Sequence, residues 1–244
     1  MPHAETRRPL ADKLALALAL LEREEIIDFN GHFSARLSDG TGLLINAGDS
    51  VRSRITPDDF IAIGFDGRPL DGERTPPMEF HLHAKIYQAR PDVHAVVHTH
   101  PRWSTVLTTA GHGWLPVTMQ AAVLGSVATF PKTASINSAA LGSEVAQFLG
   151  SAKAALMHRH GAVTVAASVQ DAFVQAVYLE ENAHRQHLAL QIGTPQPLSA
   201  DEVAQIGRNL SRPVLLQKVW DYHVGKHFPH GLAQREAPGG WPPP

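Results

Sequence analysis

The stretch Val96-Val97-His98-Thr99-His100-Pro101 decides how the rest of the chain is read. The apolar lead-in from Ala95 marks a buried strand. Side chains alternate across a strand, so His98 and His100 share one face. Pro101 stops the strand and leaves the pair at a rim. Two imidazoles so placed can grip one metal ion, and taken alone they can equally be two satisfied structural histidines. Further along, His158-Arg159-His160-Gly161 sits between two apolar stretches, residues 154–157 and 162–166. A turn carrying His and Gly between buried strands is a natural place for a third ligand, His160. Three histidines with an open position are the pattern of a catalytic metal rather than a structural one. Upstream, Glu79 follows Pro76-Pro77 at a helix start. A carboxylate there suits an acid/base, or a fourth ligand that yields to substrate. It also suits a plain helix N-terminal acid favoured by the dipole.

Composition agrees with this focus on histidine. The 244 residues include 15 His and no Cys, which excludes a disulfide scaffold, a zinc ribbon and a thiol nucleophile. The formal charge of −2 offers no basic surface for nucleic acid or anionic membrane. The longest apolar run, residues 14–21, is far too short to span a bilayer. No leader pattern precedes it, so a cytoplasmic location is expected.

Helical periodicity is expected over residues 10–27, 78–88, 103–109, 138–149, 168–190 and 199–210. The last of these opens on a Ser199-Ala200-Asp201-Glu202 capping box. Strands are expected at 32–37 and 42–46, joined as a hairpin, and at 60–65, 95–99, 125–129, 154–157 and 162–166. Strands and helices interleave, which predicts an α/β layer architecture in one domain. Residues 1–9 are expected as a flexible lead-in, 10–215 as the catalytic domain, and 216–244 as a C-terminal segment. That last segment ends in a disordered Pro-rich tail and carries Tyr222 as a candidate lid residue.

The carriers taken together are Asn30-Gly31-His32-Phe33-Ser34-Ala35-Arg36, Ile55-Thr56-Pro57-Asp58-Asp59, Glu79-x-x-x-His83-x-x-x-Tyr87, Arg90-Pro91-Asp92-Val93, His98-Thr99-His100, His160-Gly161 and Glu180-x-Asn182. In this order, with 19 residues from Glu79 to His98, they resemble the class II aldolase/adducin-head family over about residues 10–215. The resemblance implies a three-layer α-β-α domain around a central, largely antiparallel sheet. It implies His98, His100 and His160 as ligands of one divalent ion (Zn, Mn, Fe or Co), and Glu79 as acid/base. It also implies a homo-oligomer, typically a tetramer with sites between subunits, and a C-terminal tyrosine, here Tyr222, brought over the site.

Sugar-phosphate members of such a family cradle phosphate with small polar residues. Here the matching stretches read Asn30-Gly31-His32, Asn46-Ala47-Gly48-Asp49 and Pro76-Pro77-Met78. Pro77 has no amide hydrogen and Met78 no hydroxyl, while a phosphate dianion needs several donors. Asp49 would repel it. His32 instead stands in the asparagine position, and Arg52 and Arg54 can pair a carboxylate; both can also be solvated loop charges. Ser34, Arg36 and His83 join them as candidate substrate contacts. The Gly-His-x-Ser-x-Arg turn resembles the decarboxylase branch, whose members act on hydroxylated aromatic or pyridine carboxylates. The expected function is a metal-dependent carbon–carbon lyase on a small carboxylate, in first place a decarboxylase, with His32 or Glu79 returning the proton. The alternatives are an aldolase on a non-phosphorylated hydroxy-keto acid, an iron(II) oxygenase, and, least favoured, a non-catalytic adducin-like interaction module.

Overall fold

The computed structural model describes residues 2–228, with side chains from residue 7 onward. Seven strands form one sheet in the order β3-β2-β1-β4-β7-β6-β5. They are β1 (His32–Arg36), β2 (Gly42–Asn46), β3 (Phe60–Gly64), β4 (Ala95–Thr99), β5 (Ala128–Phe130), β6 (Ala154–Met157) and β7 (Gly161–Ala166). Every pairing is antiparallel except β5 with β6, which bears out the largely antiparallel α/β architecture.

Alternation along the strands fills two opposite faces. Phe33, Ala35, Leu44, Ala95 and Val97 point to one face, under α1 (Pro2–Arg23), α5 (Val169–Ile192) and α7 (Pro213–His227). Leu43, Ile45, Val96, Val163 and Val165 point to the other, under α2 (Phe80–Ala89) and α4 (Ala139–Leu149). The Leu/Ala run of α1 is buried nearly all round, with Leu14, Leu18, Leu20 and Leu21 at 0% exposure. Two further helices, α3 (Arg102–Thr109) and α6 (Ala200–Leu210), complete the set. The Ser199 capping box opens α6 as its sequence predicts.

Three boundaries differ from expectation. Residues 2–9, expected to be flexible, are the start of α1; Arg7 pairs with Asp71, and Arg8 with Asp12 and Asp58, which ties this end to the body. The strand expected at 125–129 moves to β5, because Gly125 takes φ +71 and turns the chain after a 3-10 turn over Met119–Val123 capped by Thr118. The boundary expected at 215 falls inside α7, which opens on Pro213 and docks on α1 and α5. The expected disordered Pro-rich tail, around Pro238-Gly239-Gly240-Trp241, lies outside the described residues.

Candidate metal centre and cavity

The sheet register builds the site. β1 lies against β4 with His32 paired to His98, and β4 lies against β7 with Thr99 paired to Ala162. His100 follows the last residue of β4. The tight β6–β7 turn brings His160 to the same rim, with Arg159 in the left-handed region at φ 55, a conformation that costs a non-glycine residue strain. Gly161 follows for steric reasons. A Cβ there would stand 2.2 Å from the Thr99 carbonyl oxygen and 3.1 Å from the His100 ring.

The three imidazoles form a near-equilateral triangle, with ring centroids 4.9, 4.9 and 5.0 Å apart. His98 Nδ1 lies 3.0 Å from the Ala162 carbonyl oxygen, so it carries the proton and leaves Nε2 as a lone pair. That Nε2 faces His100 Nε2 at 3.0 Å. Glu79 completes the group, and its ligand atoms and those of the three histidines all lie within 4.8 Å of one another. Burial and the neighbouring imidazoles push the His100 pKa down to about 4, and burial lowers His160 as well. Neutral imidazoles are the form that binds metal. The donor set therefore fits a divalent ion.

Glu79 occupies the N-cap of α2, yet its side chain makes no cap hydrogen bond. It turns into the site instead. Ser135 Oγ (2.9 Å) and the Ile136 amide (2.7 Å) donate to Oε1. Oε2 faces His98 Nε2 at 3.4 Å and His32 Nε2 at 3.6 Å. Burial acts to raise this carboxyl's pKa, but His32, His98 and His160 outweigh it and hold it well below the usual carboxylate range. Ser135 and Ile136 escaped sequence reasoning. They lie in a loop more than fifty residues from Glu79 and carry no motif.

A cavity of about 530 Å³ opens over this group, lined among others by His32, Arg52, Thr75, Pro77 and Met78. Arg52 is the one guanidinium lining it among the described residues. Its Nε donates to the Gly31 carbonyl and its Nη1 to Ser50, and among the described residues its Nη2 has no hydrogen-bond partner. Asn46 is spent inside, accepting from the Phe33 amide and donating to Ser50. Asp49, expected to repel phosphate, pairs with Arg74 instead of lining the cavity.

The remaining candidates stand elsewhere. Arg36 donates to the carbonyls of Tyr87, Arg90 and Val93, which locks the end of α2 to the sheet; it is no substrate contact in this geometry. Arg54 is exposed and outside the cavity lining. Ser34 and His83, both at 0% exposure, lie behind His32 rather than beside a ligand. Tyr222, on α7, is 64% exposed and absent from the cavity lining. The other carriers are structural keys. Glu180 accepts from the Trp103 and Ser104 amides and the Ser104 hydroxyl at the start of α3. Asn182 pins the backbone of Leu115, Val117 and Thr118.

Residues 12–187 match the model of the class II aldolase and adducin N-terminal domain. The chain belongs to this family. Among its relatives, a 5-methylthioribulose-1-phosphate/5-deoxyribulose-1-phosphate aldolase of Rhodospirillum rubrum is 33% identical over 72% of this chain and 79% of its own. A 3,4-dihydroxyphthalate decarboxylase of Arthrobacter keyseri is 27% identical over 93% of this chain and 95% of its own. The solved L-fuculose 1-phosphate aldolase of Glaciozyma antarctica superposes with a TM-score of 0.77 over 91% of this chain and 92% of its own, at 21% identity. That last likeness shows the fold. With family and relatives together, the chain is an enzyme of lyase type. No helix among the described residues is long and apolar enough to cross a membrane.

Proposed function

We propose that this enzyme is a metal-dependent decarboxylase of a hydroxylated aromatic, heteroaromatic or keto carboxylic acid. The observation that carries this reading is the cavity lining. A single guanidinium, Arg52, lines the cavity together with His100 and His160, and Pro76, Pro77 and Met78 line it too. One pair of Nη2 hydrogens matches a carboxylate monoanion. The near full-length relation to a 3,4-dihydroxyphthalate decarboxylase supports the same substrate class.

His98, His100 and His160 would hold the ion, which when bound supplies Lewis-acid polarisation of a substrate oxygen. Arg52 fixes the substrate carboxylate that is kept. As the carbon–carbon bond breaks, its electron pair stays on the substrate carbon and carbon dioxide leaves. A proton must then reach that carbon. Glu79 Oε2 is placed to relay it, first accepting it from the substrate hydroxyl or a water and then handing it to carbon, because Oε1 is held by Ser135 and Ile136 while Oε2 faces the cavity group. His32 Nε2 stands 3.6 Å from Oε2, beside the same carboxylate.

Aldol cleavage is the second reading, favoured by the 33% identity to an aldolase. Both reactions leave electrons on carbon next to a polarised oxygen. The deciding experiment incubates metal-loaded enzyme with dihydroxylated aromatic acids and hydroxy-keto acids, and follows carbon dioxide and aldehyde separately. Carbon dioxide without aldehyde supports the proposal; aldehyde without carbon dioxide selects the second reading. Consumption of oxygen would point to iron chemistry instead. The proposal extends to a homo-oligomer, supported by Phe29 (81% exposed) and Met78 (74% exposed), large apolar side chains left uncovered near the site.

A further inference from the structure

A hydrogen-bonded chain runs from His32 into the core, and its outer end faces Glu79. Glu79 Oε2 lies 3.6 Å from His32 Nε2. His32 Nδ1 lies 2.7 Å from His83 Nε2. His83 Nδ1 lies 2.6 Å from Ser34 Oγ, and Ser34 Oγ lies 2.9 Å from Tyr87 Oη. His83, Ser34 and Tyr87 are buried to 1% exposure or less, and His32 to 4%. Each link is a single proton between two atoms, so the chain has one direction or the other.

Both ends select the same direction. At the inner end Tyr87 is a phenol whose ionisation burial opposes, which pushes its pKa well above the ordinary value. It therefore keeps its hydrogen, and Ser34 Oγ is the acceptor beside it. Ser34 must then send its own hydrogen onward. His83 Nδ1 at 2.6 Å is a far better acceptor than the Val96 carbonyl at 3.5 Å. With Nδ1 accepting, a neutral His83 carries its hydrogen on Nε2 and donates to His32 Nδ1. His32 is left with its hydrogen on Nε2. At the outer end, the Glu79 carboxylate faces that same Nε2 and demands a donor there. The opposite direction would set a second lone pair, beside that of His98 Nε2, against the same Glu79 oxygen and leave the phenol without its acceptor.

We propose that Tyr87, acting through Ser34 and His83, sets His32 as an Nε2–H donor aimed into the site, so that all three are positioning residues. This assigns a role to Ser34 and His83 other than the substrate contact their sequence suggests. It also fixes His32 as a hydrogen-bond donor to Glu79 or to a substrate oxygen, and removes it as a base. The inference rests on the lyase reading only for its kinetic consequence.

The test is the tautomer of His32 in the full-length protein labelled with ¹⁵N-histidine, metal-free and zinc-loaded, assigned against His32→Gln. The expected result is protonated Nε2 and bare Nδ1. In Ser34→Ala both tautomers appear, and kcat falls about tenfold with KM and zinc content nearly unchanged. Should Ser34→Ala fail to fold, Tyr87→Phe removes one hydroxyl at constant shape and is expected to give a mixed tautomer too. Wild-type protein protonated on His32 Nδ1 overturns the inference. So do tautomer and kcat left unchanged by whichever of the two variants folds. An enzyme inert toward every carboxylate but keeping the Nε2–H tautomer until Ser34 is changed would sink the lyase reading and uphold this one.

Discussion

His32 stands directly across from His98 in the β1–β4 ladder, their rings 4.9 Å apart and tilted by 36°. His98 belongs to the three-histidine triangle, and His32 lines the cavity beside it. A single strand pairing thus fixes their separation without help from any loop. Burial pushes His32 down to about 3, against the pull of Glu79, so it works as a neutral imidazole.

Replacing Glu79 with Gln keeps the hydrogen bonds to Oε1 but removes the proton-carrying oxygen. Turnover is expected to fall by about 10²–10⁴, with metal content preserved. Single-turnover assays with parallel elemental analysis check this. Full turnover would remove Glu79 from the mechanism.

Gly161→Ala places a methyl group 2.2 Å from the Thr99 carbonyl oxygen and against the His100 and His98 rings. A stability loss of about 1–3 kcal/mol is expected, together with weaker metal binding because the displaced rings belong to the candidate metal group. Denaturant unfolding of the metal-free protein separates the first effect from the second.

Arg36→Ala is expected to cost about 2–4 kcal/mol, because three backbone carbonyls lose a charged donor. Surviving folded enzyme should keep its KM. Arg52→Lys should raise KM instead, with the mutant protein still folded. Melting curves and steady-state kinetics on the two variants distinguish a structural arginine from a substrate contact.

Acid should loosen α7. Burial alone would raise the Glu24 pKa, but Lys226, His227 and His223 outweigh it and bring it down to about 2 from 4.5. A depressed folded pKa gives stability that is complete above the unfolded value and is lost as pH falls. The expected loss therefore lies between about pH 4.5 and 2, and Glu24→Gln should remove it. Thermal melts of both proteins across that range read it out.

Much of the fold was legible in the sequence because the apolar runs and caps are strong. Ser138, Ser168 and Ser199 each accept a hydrogen bond from a first-turn amide of the helix they precede. The clustering of the three histidines was legible because their spacing is local on β4 and in the β6–β7 turn. Substrate contacts were harder. His32, Ser34 and Arg36 share one face of β1, and sequence alone presents them as a group. A strand rises about 3.3 Å per residue, so Arg36 stands about 13 Å along from His32, over α2 rather than the cavity. The Ser135–Ile136 clamp on Glu79 was invisible because only tertiary packing joins those residues. The position of Tyr222 likewise follows from α7, whose docking depends on distant Glu24.

The most direct test of the account is the metal content of freshly purified protein, by elemental analysis, beside His98→Ala. The account predicts about one divalent ion per chain in the wild type and its loss in the variant. A wild-type protein that takes up no metal even after reconstitution would contradict the three-histidine centre and the lyase chemistry built on it.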